Sequence, residues 1–156
     1  MALMCLVCVW SCSSALDSEG SPIPTTPEVL HSWLLDGGHR GWTAESSVHK
    51  STLGEGGARV FLNDLLVDSL SSGNAVHPVG SAGVREMYEP DKVTQRGFGV
   101  LVKIADEGEG GTGWYFYETF QMKAGMPFSI SKAGAPGCVG CHQNGLDFVQ
   151  SKLPLP

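Results

Sequence analysis

Three runs of β-branched and aromatic residues constrain the fold of this chain most: Gly83-Val84-Arg85-Glu86-Met87-Tyr88, Phe98-Gly99-Val100-Leu101-Val102-Lys103-Ile104 and Trp114-Tyr115-Phe116-Tyr117-Glu118-Thr119-Phe120. Residues of these types fit the pleated surface of a sheet, so each run predicts a strand. The segment Asp106-Glu107-Gly108-Glu109-Gly110-Gly111-Thr112-Gly113 has the composition of a hairpin loop, which predicts an antiparallel meander. Upstream the pattern is helical. Thr26-Pro27-Glu28 supplies a cap, a first-turn proline and an early acid ahead of Val29, Leu30, Trp33 and Leu34, and Gly37-Gly38 is a stop. Residues 41–57 are polar and glycine-rich. Arg59-Val60-Phe61-Leu62 then reads as a short strand, and Asn63 or Asp64 as the cap of a helix that ends at Gly73. The expected class is α+β: an antiparallel β-sheet packed with a few helices, a short one near the end, and no internal repeat.

Composition narrows the partners. Among 156 residues, 21 Gly and 9 Pro are too few and too aperiodic for collagen or a low-complexity tract, and too many for a long-helix bundle. A chain of this length suits one domain. With 10 Lys+Arg against 16 Asp+Glu and no basic run, the balance argues against nucleic acid or an anionic membrane surface as the main partner.

The cysteines fall in two groups, Cys5, Cys8 and Cys12 at the start and Cys138 and Cys141 near the end, which is no disulfide scaffold. Residues 1–16 are uncharged, and their apolar run is too short to span a bilayer. The run resembles the core of a secretory signal, with small residues from Ser11 to Ala15 for cleavage. Val9-Trp10-Ser11-Cys12 also resembles a bacterial lipobox, in which Cys12 would carry the lipid. Residues 17–27 read as a Ser- and Pro-rich tether, and 28–156 as the functional domain.

Cys138-Val139-Gly140-Cys141-His142 is the C-x-x-C-H pattern of covalent c-type haem attachment. On a helical turn the two thiols share a face where each can add to a haem vinyl group, and the adjacent imidazole can reach the iron. A zinc site would need further ligands, and a thioredoxin-like pair would sit early, after a strand. Haem of this type is attached outside the cytoplasm, so motif and leader agree on a periplasmic or other extracytoplasmic location. An ordinary electron-transfer cytochrome has its motif early and a methionine ligand far downstream, whereas here no methionine follows Met126. A sixth ligand would have to come from Met87, Met122, Met126, His31, His39, His49 or His77, none singled out by spacing. An open sixth position is therefore expected. The aromatics available to line it are Phe61, Phe98, Tyr115, Phe116 and Tyr117, and Glu86 or Glu118 would serve as a catalytic proton acceptor if it points inward.

Over residues 29–154 the chain resembles the cytochrome P-460 and cytochrome c prime-beta family. The resemblance is carried by Val60-Phe61-Leu62-Asn63-Asp64, Pro78-Val79-Gly80 before Arg85-Glu86, Gly113-Trp114-Tyr115-Phe116-Tyr117-Glu118, the haem motif, and then Asp147-Phe148-Val149 and Lys152-Leu153-Pro154. The four-helix cytochrome c prime also ends on the motif, but the strand-like second half contradicts it. The resemblance implies a homodimer, one five-coordinate haem c bound through Cys138, Cys141 and His142, and a redox partner protein. Cytochrome P-460 members oxidise hydroxylamine and carry a lysine cross-link to the porphyrin; the c prime-beta members bind nitric oxide or carbon monoxide. Arg85 stands where that lysine is expected, and its guanidinium is a poor nucleophile, which leaves Lys92 and Lys103 as possible donors. Three functions follow as expectations: a small-nitrogen-species haem protein with possible hydroxylamine oxidation, a gas binder without turnover, or a six-coordinate electron carrier.

Overall fold

The computed structural model describes residues 23–52, 54–106 and 108–156, so the leader and Cys12 lie outside the described residues. In chain order the elements are α1 (Pro27–Leu35), β1 (Thr43–Ala44), β2 (His49–Lys50), β3 (Gly57–Leu62), α2 (Asp64–Ser71), β4 (Ala82–Tyr88), β5 (Gln95–Lys103), β6 (Trp114–Thr119), β7 (Ile130–Ala133) and α3 (Pro136–His142). All strands join one antiparallel sheet in the order β1-β3-β4-β5-β6-β7, with β2 also pairing β3. The α+β class and the meander of the three aromatic runs are as the sequence predicts.

Alternation along the strands feeds two cores. Phe61, Val84, Phe98, Val100, Val102, Tyr115 and Tyr117 point to one face, where Leu30 and Leu34 of α1 and Trp42 cover them. Leu62, Trp114 and Phe116 point to the other, against Leu66 of α2, Ala135 and Val149. Because both faces are buried, the strands are apolar on both sides, as in a sheet sandwiched between layers. Ile23, 4% exposed, belongs to the α1-side core, so packing reaches into the segment read as a tether.

Local chemistry sets the element ends. Asn63 caps α2: its side-chain oxygen accepts from the Leu66 N–H at 3.1 Å and from the Ala82 N–H at 2.9 Å, while its amide donates to the Gly80 carbonyl at 2.8 Å. One residue thus ties a helix start to a strand start. At Gly97 a Cβ would collide with the Thr119 carbonyl oxygen, so only glycine lets β5 lie this close to β6. α3 begins with Pro136 in its first turn, and none of its residues is buried. Among the described residues no helix is long and apolar enough to cross a membrane.

Candidate functional site

The i, i+3, i+4 spacing of Cys138, Cys141 and His142 on α3 brings all three to one cavity of about 410 Å³, bounded on the far side by the sheet. Its sheet wall is apolar at Val60, Leu62, Leu101 and Phe116 and polar at Glu45, His49, Arg85 and Glu118. Gly99 opens the wall: a Cβ there would meet nothing nearer than the Arg85 Cβ at 4.0 Å. Both motif cysteines are free, Cys138 half-buried and Cys141 exposed. Burial, then the charges of Glu118 and Cys141, push the Cys138 thiol up, so it is held as the neutral thiol.

His142 is oriented from behind. Its Nδ1 donates to the Phe148 carbonyl at 2.8 Å, which fixes the tautomer and leaves Nε2 as the nitrogen for a ligand. The ring meets Phe116 edge-on at 5.5 Å between centroids. Asp147, next to that carbonyl, accepts from Lys103 Nζ at 2.8 and 3.0 Å, Trp114 Nε1 at 3.2 Å and the His77 N–H at 2.9 Å. His77 is fully buried, takes the Ser69 hydroxyl on Nδ1 at 2.8 Å and gives its Nε2 proton to the Leu146 carbonyl at 3.2 Å. Burial lowers its pKa, with Asp147 opposing.

The two candidate carboxylates part company. Glu118 lines the cavity. Glu86 lies on the α1 side of the sheet, 3% exposed, bonded to His39 Nε2 at 2.9 Å and to the Tyr88 hydroxyl, so the sheet itself separates it from the motif. Burial pulls Glu86 up, but the bonds from His39 and Tyr88 outweigh it and hold the carboxyl below its ordinary value; Tyr88 is pushed up to about 12 by burial and the same bond. Glu86 is thus a paired core carboxylate with no access to a ligand on the cavity side.

The potential sixth ligands are dispersed. His31 donates to the Gln121 carbonyl at 3.0 Å and His39 to Glu86; neither lines the cavity. His77 sits behind the loop that follows α3, Met87 is buried away from the cavity, and Met122 and Met126 are exposed. His49 lines the cavity, but its Nδ1 faces the Lys50 carbonyl at 2.8 Å and its Nε2 faces Glu45 at 2.9 Å, so both nitrogens are engaged. Of the aromatics, Phe116 faces the cavity, Phe61, Phe98 and Tyr115 pack in the other core, and Tyr117 borders the cavity while its ring packs with that core. Neither Lys92 nor Lys103 lines the cavity, and Lys103 is committed to Asp147.

Arg85 lies on the cavity wall, its Nη2 donating to Ser51 at 2.6 Å and its pKa lowered by burial despite the nearby Glu118 charge. Sequence reasoning missed the Asp147 cluster, the Glu45–His49 pair and the opening at Gly99. Parity with Phe116 on β6 was the available signal for Glu118, whereas His77 and Asp147 meet across 70 residues and leave no local pattern. Comparison with protein-family models and with curated proteins finds no match for this chain.

Proposed function

We propose that the chain is an exported monohaem c-type cytochrome of the cytochrome P-460 type, with haem c on Cys138 and Cys141, His142 as axial ligand, and a distal side that binds or transforms hydroxylamine or nitric oxide. The observation that carries this reading is the motif lining a cavity in which no described histidine or methionine is free to take the sixth position. The residues present fit the group. Two thiols and an imidazole line one cavity, its sheet wall offers Val60, Leu62, Leu101 and Phe116 beside the polar Arg85 and Glu118, Gly99 leaves open space, and the volume of about 410 Å³ lies within the roughly 300–1,000 Å³ of small-molecule sites.

Bound there, the haem supplies an iron that takes small N–O ligands and passes electrons to a redox partner protein. The protein's own residues do the rest. His142 would hold the iron through Nε2, since Nδ1 is engaged by the Phe148 carbonyl. The Glu118 carboxylate, the candidate base on this cavity, would accept a proton from an N–H or O–H of a bound ligand, and Val60, Leu101 and Phe116 would shield it from water. Arg85 at the wall supports a haem without a lysine cross-link, which favours ligand binding over hydroxylamine turnover. Secretion to the periplasm, a lipid anchor at Cys12 and a homodimer belong to the same reading.

The ferrous optical spectrum, with and without carbon monoxide, tests it. A spectrum that carbon monoxide shifts is expected. Sharp low-spin bands indifferent to the gas would identify the six-coordinate electron carrier instead. Steady-state hydroxylamine oxidation with an artificial electron acceptor then divides enzyme from gas binder, and no turnover removes the enzymatic reading.

A further inference from the structure

The segment after α3 is held in an unusual shape. Asp147 and Phe148 are consecutive non-glycine residues in the left-handed region, at φ 43° and 67°. Such conformations persist where the surroundings over-determine them. Here the surroundings are the donors on the Asp147 carboxylate: the buried Lys103 ammonium, the Trp114 indole and the His77 backbone N–H, contributed by β5, β6 and the connection before β4. The product of that shape is the Phe148 carbonyl at 2.8 Å from His142 Nδ1.

We propose that Asp147 is a positioning residue that sets the ligand strength of His142, by locking the Phe148 carbonyl onto Nδ1. The proposal rests on the haem reading above. A backbone carbonyl that draws on the Nδ1 proton raises the basicity of Nε2 and fixes the plane of the ring, as outer partners of metal-bound histidines do. The carbonyl can do this only while the Asp147–Phe148 turn is closed. Its clasp comes from β5, β6 and the connection before β4 and not from α3, so the imidazole is aimed from the sheet side of the molecule.

The test uses purified holoprotein, whose covalent haem content is read first. The variants are Asp147→Asn and the double variant Asp147→Asn with Lys103→Gln, which removes both charges of the pair and so avoids leaving the buried Lys103 ammonium unpaired. With the carbonyl released, both variants shift the ferrous iron–histidine stretching band to lower frequency and raise the midpoint potential. Either variant unfolding alone leaves the other to be read. A lowered melting temperature with the band and the potential unchanged would reduce Asp147 to a structural residue and overturn the proposal while the haem reading stands. Wild-type protein matured without covalent haem would overturn both.

Discussion

Single side chains in this protein are governed by which side of the sheet they face. Glu86 and Glu118 occupy strands of similar composition, yet one is locked to His39 and Tyr88 and the other lines the cavity. Period-two parity makes Glu86 a companion of Val84 and Glu118 a companion of Phe116, and that much is legible in the sequence. Which side carries the cavity is not, because both faces are apolar and alternation no longer separates inside from outside. The buried His77 gives the residue scale its prediction. Burial holds its folded pKa below the unfolded value of about 6.5, so on acidification the unfolded chain takes up a proton that the folded one refuses. Stability therefore falls as pH drops through about 6.5 and levels off below the folded pKa, at no more than about 1.4 kcal/mol per pH unit crossed. Denaturant titrations at about pH 7.5 and about pH 5.5 measure this. His77→Gln should flatten the difference, and an unchanged slope would assign it to another group.

At the scale of elements, Asn63 joins the start of α2 to the start of β4 through side-chain hydrogen bonds to Leu66, Gly80 and Ala82. Asn63→Ala removes a cap and leaves a buried N–H and a buried carbonyl unpaired, a loss of about 3 kcal/mol in the unfolding free energy read by denaturant titration. A loss under about 1 kcal/mol would mean that water replaces the amide. A cap at Asn63 or Asp64 was legible, the structure choosing Asn63, as were α1 and the three aromatic strands, because each has a propensity or period of its own. β1 and β2, of two residues each, and β7, with one large apolar side chain in Ile130-Ser131-Lys132-Ala133, have none. They exist because β3 and β6 offer them an open edge, which is a tertiary cause. The same holds for the Asp147 cluster, assembled from three distant stretches of chain.

For the whole molecule, the division of labour is between a sheet buried on both faces and a last helix that buries none of its residues. Helices as short as α3 are marginal in water without tertiary packing. In amide-exchange terms, the cofactor-free chain should behave as a slow-exchanging barrier of β4, β5 and β6 with a fast-exchanging clasp over residues 136–142. Covalent attachment would convert that clasp to slow exchange while leaving the sheet as it was. Hydrogen–deuterium exchange of wild-type holoprotein against the Cys138→Ala, Cys141→Ala chain reads the difference, and equal protection of α3 in both would refute it. On the haem reading, a clasp that breathes independently would bear on the order of maturation. The thiols would remain reachable by the attachment machinery after the sheet has folded, so a finished domain would be a competent substrate for loading.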